Sequence, residues 1–180
     1  FELRNDLLGG SIFLSDILEK GISVDLDYLK LNLLPERFEK KILSTANDIN
    51  FPINFDIRNL EINERAYGNW KFNFFTNQRG LNFKEIEGEY GVWKVGTIDT
   101  LETSQVILNK YYDGWKIDAK TSIFSYFPDQ AFEEIDLNTN FSSERVEFNP
   151  DLSLFLNNEF RITEIEGFLN FSFDDLLFED

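Results

Sequence analysis

Residues 51–96 read FPINFDIRNLEINERAYGNWKFNFFTNQRGLNFKEIEGEYGVWKVG, and this stretch decides the fold class. Ile53, Phe55 and Ile57 alternate with Asn54, Asp56 and Arg58, after which the apolar phase slips by one residue to Leu60 and Ile62. Trp70, Phe72 and Phe74 alternate with Lys71 and Asn73. Leu81 and Phe83 open a third segment, which slips again and continues through Ile86, Gly88, Tyr90 and Val92. A period of two sends alternate side chains to opposite faces of a strand. Three such segments, joined by Arg65-Ala66-Tyr67-Gly68 and Asn77-Gln78-Arg79-Gly80, predict an antiparallel meander with one apolar face.

The same grammar extends outward. On the N-terminal side Gly9-Gly10 leads into Ser11-Ile12-Phe13-Leu14. Ile22, Val24, Leu26 and Tyr28 then alternate with polar residues before the phase slips to Leu29, Leu31 and Leu33. A slip inside a strand implies a β-bulge and added twist, so a strongly twisted sheet is expected. Pro35 to Ala46 is the one helical candidate, with Pro35 and Glu36 suited to a first turn. On the C-terminal side, strands are expected at Gln105–Leu108, at Trp115–Ile123, and over the alternating Ile135, Leu137, Thr139 and Phe141. Val146 and Phe148 begin another, in which Pro150 argues for an edge or a bulge, and Leu152, Leu154 and Leu156 resume it. Ile165, Gly167, Leu169, Phe171 and Phe173 form the last. Phe83-Lys84-Glu85-Ile86-Glu87-Gly88 is echoed by Ile162-Thr163-Glu164-Ile165-Glu166-Gly167, each placing a glycine on the apolar face at a phase slip.

Composition narrows the function classes. The net charge of −16 opposes contact with nucleic acid, whose phosphates require a positive surface, and opposes docking on anionic lipid by charge. The acids fall mostly at alternate strand positions and read as a solvated outer face. The absence of Cys excludes a disulfide framework and thiol chemistry, and leaves the compartment open. No run approaches the 18 or so apolar residues of a membrane-spanning helix. The chain is expected to be a single β-rich segment, 1–180, of a longer repetitive protein, with any export signal outside it.

No active site emerges. The chain has no His to serve as a base beside a nucleophile, and Gly9-Gly10 lacks the strand–loop–helix setting and lysine of a phosphate loop. Asp25/Asp27 and Glu85/Glu87 have the spacing of paired carboxylates, but their surroundings read as solvent face. Trp70, Trp93 and Trp115 suit a continuous apolar lining better than a sugar platform. No catalytic residue, metal ligand or cofactor is therefore assigned.

Periodicity leaves two arrangements open. The apolar face can pack on a second sheet at ~10 Å as a sandwich core. It can instead curl into a trough open to an apolar ligand, where each methylene removed from water contributes ~0.8 kcal/mol. The order Gly9–Leu14, Val24–Leu31, Phe51–Ile62, Tyr67-Gly68-Asn69-Trp70, Gly80-Leu81-Asn82-Phe83 and Gly91-Val92-Trp93 resembles the large AsmA-like envelope proteins, especially their YhdP branch. Ser143–Leu154, Phe160–Gly167 and Leu169–Phe173 are similar to the segment preceding that family's C-terminal AsmA-like region. Leu154-Phe155-Leu156-Asn157 stands where the family pattern has a Trp-Pro-Gly-like turn.

The resemblance implies a non-enzymatic section of an elongated hydrophobic β-groove in the periplasm, in a protein anchored to the inner membrane. It further implies that phospholipid acyl chains are the partner, guided between inner and outer membrane. The residues expected to line the groove are Ile53, Phe55, Ile57, Trp70, Phe72, Phe74, Ile86, Tyr90, Val92, Trp115, Ile117, Ile165, Leu169, Phe171 and Phe173. The alternative from a different class is a β-sandwich carbohydrate-binding or adhesive module with surface aromatics.

Overall fold

The computed structural model describes residues 1–14, 21–32, 51–77, 80–96, 104–137 and 141–178. The fold is all-β apart from one short helix among these residues. In chain order the strands are β1 (Glu2–Arg4), β2 (Leu8–Leu14), β3 (Ile22–Leu31), β4 (Ile53–Ile62), β5 (Arg65–Asn77), β6 (Gly80–Tyr90) and β7 (Trp93–Val95). They continue as β8 (Gln105–Tyr111), β9 (Gly114–Lys120) and β10 (Ile123–Ser125), then helix α1 (Pro128–Glu134), β11 (Phe141–Ser142), β12 (Arg145–Leu156), β13 (Ile162–Asp174) and β14 (Leu177–Phe178). Twelve strands form one sheet, and β11 pairs with β14 beside it. The helix expected at 35–46 lies outside the described residues.

The sheet is a long meander in which β7 and β8 share one position and β9 and β10 the next. One half of β6 pairs with β8 and the other half with β7, and β12 faces β9 and β10 in the same way. β9 and β10 hold one register on β12, with Lys120 opposite Asp151 and Ile123 opposite Phe148. Pro150 explains their separation. Thr121 N–H donates to the Pro150 carbonyl at 3.2 Å, but proline has no N–H to return the bond, so the ladder opens there. Pro150 was expected at an edge or bulge. It lies instead in an interior strand, between β9/β10 and β13, at the one gap where its missing donor is tolerated.

Three further expectations are corrected. The β4–β5 connection is not Arg65–Gly68 but Asn63-Glu64, both at positive φ (50° and 65°), the conformation of a two-residue hairpin turn. β5 therefore begins at Arg65. The third segment does not run on through Val92: β6 ends at Tyr90, Gly91-Val92 turns the chain, and Trp93-Lys94-Val95 returns as β7. Lastly, Ile135 to Leu137, where the expected strand to Phe141 begins, are not extended into a strand but form the exit of a helix. Pro128 at the first helical positions and Asp129 in the first turn start α1 instead. Its exit is a Schellman turn: Asp136 sits at φ 57°, with Leu137 N–H donating to the Phe132 carbonyl at 2.9 Å and Asp136 N–H to the Glu133 carbonyl at 3.1 Å. Ile135 and Leu137 are exposed, and of the described residues in that span Phe141-Ser142 form strand.

One pairing breaks the antiparallel rule. β3 and β4 run parallel in register from Ile22–Ile53 to Leu31–Ile62. A parallel pair needs a crossover of a dozen or more residues, and the chain between β3 and β4 is long enough to supply it.

Each phase slip is a bulge. Register shifts fall between Gly9 and Gly10 on β2, between Ile57 and Leu60 on β4, and between Lys71 and Asn73 on β5. In the last case Phe72 faces the extra residue of β6, where Glu85 adopts φ 51°. A bulge restores the inward phase after an odd insertion, which keeps the apolar side chains on one face.

Candidate functional site

Residues paired across neighbouring strands carry their side chains on the same face, so the registers assign every face of the sheet. One transverse row runs Gly10, Leu26, Ile57, Trp70, Gly88, Val95, Ile123, Phe148 and Phe171, from β2 to β13. A second runs Leu14, Ile22, Ile53, Phe74, Phe83, Val106, Ala119, Leu152 and Gly167 across the same width. Neither row contains a polar side chain. On the opposite face Ser23, Asn54, Asn73, Lys84, Gln105, Lys120 and Asp151 line up, as do Ser11, Asp25, Asp56, Lys71 and Glu87.

The residues singled out from the sequence gather on the apolar face. Ile53, Phe55 and Ile57 lie there on β4 beside Trp70, Phe72 and Phe74 on β5. Tyr90 pairs with Trp93, and Ile86 shares the phase of Gly88. Trp115 and Ile117 face Leu156 and Leu154, which in turn face β13. There Ile165 lies opposite Leu154, Leu169 opposite Pro150, Phe171 opposite Phe148 and Phe173 opposite Val146. Val92 is the exception, being a turn residue packed against the cluster of Trp93, Ala131, Phe132 and Val146. The alternation missed Phe132 of α1 altogether, and Leu81, Phe83, Leu108 and Phe148 complete the face although their periodicity signalled it.

Three apolar clusters tile this face. Val24, Leu26 and Ile57 anchor one, and Leu81, Leu108, Trp115 and Leu156 another, with Phe55, Phe72, Phe74 and Phe83 in ring contact at centroid distances of 5.0–6.5 Å between them. The third holds α1, whose Phe132 ring lies 5.5 Å from Phe141 and 6.4 Å from both Phe148 and Phe173. Apart from α1, the Phe141 ring of β11 packed on Phe132 and on Phe173 at 5.3 Å, and the Phe160 ring stacked on Trp115 at 5.6 Å, no second layer packs on this face among the described residues, and extensive contacts between strands join only hydrogen-bonded neighbours. The face is most open along β13, where Ile165 is 60% and Phe171 56% exposed.

One end of the face deepens into a cavity of about 500 Å³, within the size range of small-ligand sites. Trp70, Trp93, Val95, Ile123 and Phe148 supply apolar walls; Glu134 and Ile135 come from the exit of α1, and Arg65, Tyr67 and Tyr90 from β5 and β6. The Arg65 guanidinium lies 5.9 Å from the Tyr67 ring centre and 5.4 Å from that of Tyr90, and it donates to the Tyr90 hydroxyl. The two tyrosines stack at 5.2 Å, and the Trp70 indole N–H donates to the Tyr67 carbonyl at 2.6 Å. The Trp93 indole nitrogen is buried with no acceptor among the described residues.

The polar face is a lattice of exposed ion pairs, including Lys71–Asp56 at 3.0 Å, Lys94–Glu89 at 3.2 Å and Arg58–Asp27 at 2.6 Å. Hydrogen bonding to Asp56, reinforced by its charge, raises the Lys71 pKa. The Asn69 amide, followed by Lys94, lowers that of Glu89. Of the paired carboxylates, Asp27 is bound to Arg58 and Glu85 accepts from Asn73. No group of three or more candidate metal ligands occurs among the described residues. Trp93 and Trp115 are buried on the apolar face rather than displayed as a surface platform.

The recurring Glu-Ile-Glu-Gly element has a steric cause. A β-carbon on Gly88 would come within 2.5 Å of the Trp70 indole, which lies across it. Gly167, at φ 126°, meets the Asp151 backbone in the same way. Both elements adjoin a bulge, the second where Thr163 is the extra residue between Glu164 and Ile162. Comparison with known protein families, with characterised proteins and with solved structures returned no match to this chain.

Proposed function

We propose that the apolar face is a section of a hydrophobic groove that guides phospholipid acyl chains passively between the inner and outer membranes of a cell envelope. One observation carries this reading: unbroken apolar rows extend from β2 to β13 with no facing sheet among the described residues. The resemblance to AsmA-like envelope proteins supports it, along with a periplasmic setting and an inner-membrane anchor elsewhere in the protein. About eight methylenes laid on such a face contribute ~6 kcal/mol before the cost of association. The attraction is non-directional, so a chain can slide along the rows without breaking a polar contact. The role is one of binding and conduction rather than catalysis.

Photo-crosslinking in cells tests it. A crosslinking amino acid at Phe72 or Ile117 is expected to capture phospholipid, whereas the same probe at Lys71 or Lys116 is not. Capture only from the lysine positions would show that the lipid-bearing face is the other one. Capture from none of the four would end the conduit reading.

A further inference from the structure

The cavity at the Trp70–Trp93 end differs from the rest of the apolar face in carrying charge. Arg65 and Glu134 are the charged residues among those that line it, one from the β4–β5 hairpin and one from the last turn of α1. Neither takes part in an ion pair among the described residues. The stacked Tyr67–Tyr90 pair holds the guanidinium at the rim, and the Glu134 carboxylate lies against Gly91, where no β-carbon intervenes. A single cation would select any anion. A cation and an anion at one opening above a floor of indole, valine, isoleucine and phenylalanine select a dipolar head joined to an apolar tail.

We propose that this cavity is a headgroup subsite for a zwitterionic amphiphile. The inference rests on the acyl-chain reading above and adds the chemistry of the head. Arg65 receives the phosphate, since a planar guanidinium offers paired donors to phosphate oxygens. Glu134, on the same cavity wall, receives the ammonium. The tail lies on Trp70, Val95 and Phe148 and continues onto the rows. The buried Trp93 indole N–H gains an acceptor if a ligand oxygen or a water enters the cavity. The rest of the face binds without selecting, and discrimination among lipids is assigned to this end.

The test measures dissociation constants from tryptophan fluorescence for wild type, Arg65→Gln and Glu134→Gln. The probes are oleoyl-lysophosphatidylethanolamine, oleoyl-lysophosphatidylglycerol, uncharged monoolein and free phosphoethanolamine. Wild type is expected to bind the zwitterionic lipid roughly tenfold more tightly than monoolein, the size of one charge-assisted hydrogen bond at a partly exposed site. Arg65→Gln is expected to erase that preference while leaving monoolein affinity unchanged. Glu134→Gln is expected to erase only the preference over lysophosphatidylglycerol. An unchanged preference in Arg65→Gln, with a thermal midpoint like that of wild type, overturns the subsite. Equal binding of free phosphoethanolamine also overturns it, because the ligand is then a soluble phosphate ester. If monoolein binds and no headgroup preference exists, the subsite alone falls. If neither monoolein nor either lysolipid binds, the acyl-chain reading falls with it.

Discussion

Replacing Phe72 with Asp separates an open apolar face from a closed core more sharply than any other change in this sheet. Phe72 lies mid-sheet on β5, in line with Phe55 and Val24, with its ring 5.0 Å from Phe55 and 5.7 Å from Phe83. It is half-buried. Full burial of such a side chain contributes ~1.5–3 kcal/mol, so half-burial contributes about half of that. The two ring pairs add about 0.5–1.5 kcal/mol each. Losing them costs roughly 2–4 kcal/mol, which a domain with a stability of about 5–15 kcal/mol survives. On an open face the new carboxylate reaches water and adds little. Under a second layer it is buried and unpaired, a further several kcal/mol, and the domain unfolds. The assay pairs urea denaturation with uptake of a fluorescent acyl probe. Phe72→Asp is expected to remain folded, with a lower midpoint, and to lose uptake. Lys71→Asp, on the opposite face, is expected to retain uptake. An unfolded Phe72→Asp protein refutes the open face, and a folded one with normal uptake refutes the path of the acyl chain.

Glu64→Gly is expected to stabilise the chain by up to about 1 kcal/mol, because Glu64 sits at φ 65° in a two-residue hairpin turn where glycine is unstrained; a denaturation midpoint at or below that of wild type contradicts the turn. Gly88→Ala is expected to cost about 1–3 kcal/mol and to shift tryptophan emission, since its β-carbon would strike the Trp70 indole. Gly167→Ala is expected to cost at least as much with no such spectral shift, and equal spectra for the two variants argue against the Trp70 contact. The Glu89 pKa is lowered by Asn69 and then Lys94, so its contribution to stability is present above its ordinary value of 4.5 and lost as pH falls through the lower folded value. Asn69→Ala is expected to move the Glu89 titration, followed by NMR, back toward 4.5; an unmoved titration assigns the shift to Lys94 instead.

How far the sequence disclosed this arrangement depends on what each signal encodes. Period-two alternation reports which face a residue takes, and it placed Phe55, Phe72, Ile117 and Phe171 on one face correctly. The slips at Ile57–Leu60 and Phe83–Ile86 reported bulges, because only an extra residue restores the inward phase. Alternation says nothing about the direction of a neighbouring strand, so the parallel β3–β4 pair was invisible. It also misled at Ile135 and Leu137, where two exposed apolar residues at a helix exit imitate a strand, while Pro128 and Asp129 carried the helix signal. The cavity was illegible for a different reason. Arg65 and Glu134 are brought together by the meander, and nothing local marks either residue as facing the apolar side.

On the groove reading proposed above, a sheet whose apolar face meets no facing sheet among the described residues must stay folded without a second layer and must not fuse with its own copies. The first requirement is met along the ladder: successive strands β4 to β6 and β8, β9, β12 and β13 are each bonded to a sequence neighbour or near neighbour, so closure entropy is low and each pairing adds its own side-chain contacts on the apolar face. The second is met by the other face. Its lysines are largely engaged, as Lys71 is with Asp56, Lys94 with Glu89 and Lys120 with Asp151, and each exposed pair contributes only about 0–1 kcal/mol to stability. What remains is the uncompensated acid of a chain with net charge −16. That charge repels other copies over a screening length of about 10 Å at 0.1 M salt, while an acyl chain, which carries no charge, approaches the rows unopposed. On that reading the acidic face and the apolar face answer one problem, since the charge that rejects another copy of the sheet would leave the apolar rows open to an uncharged chain.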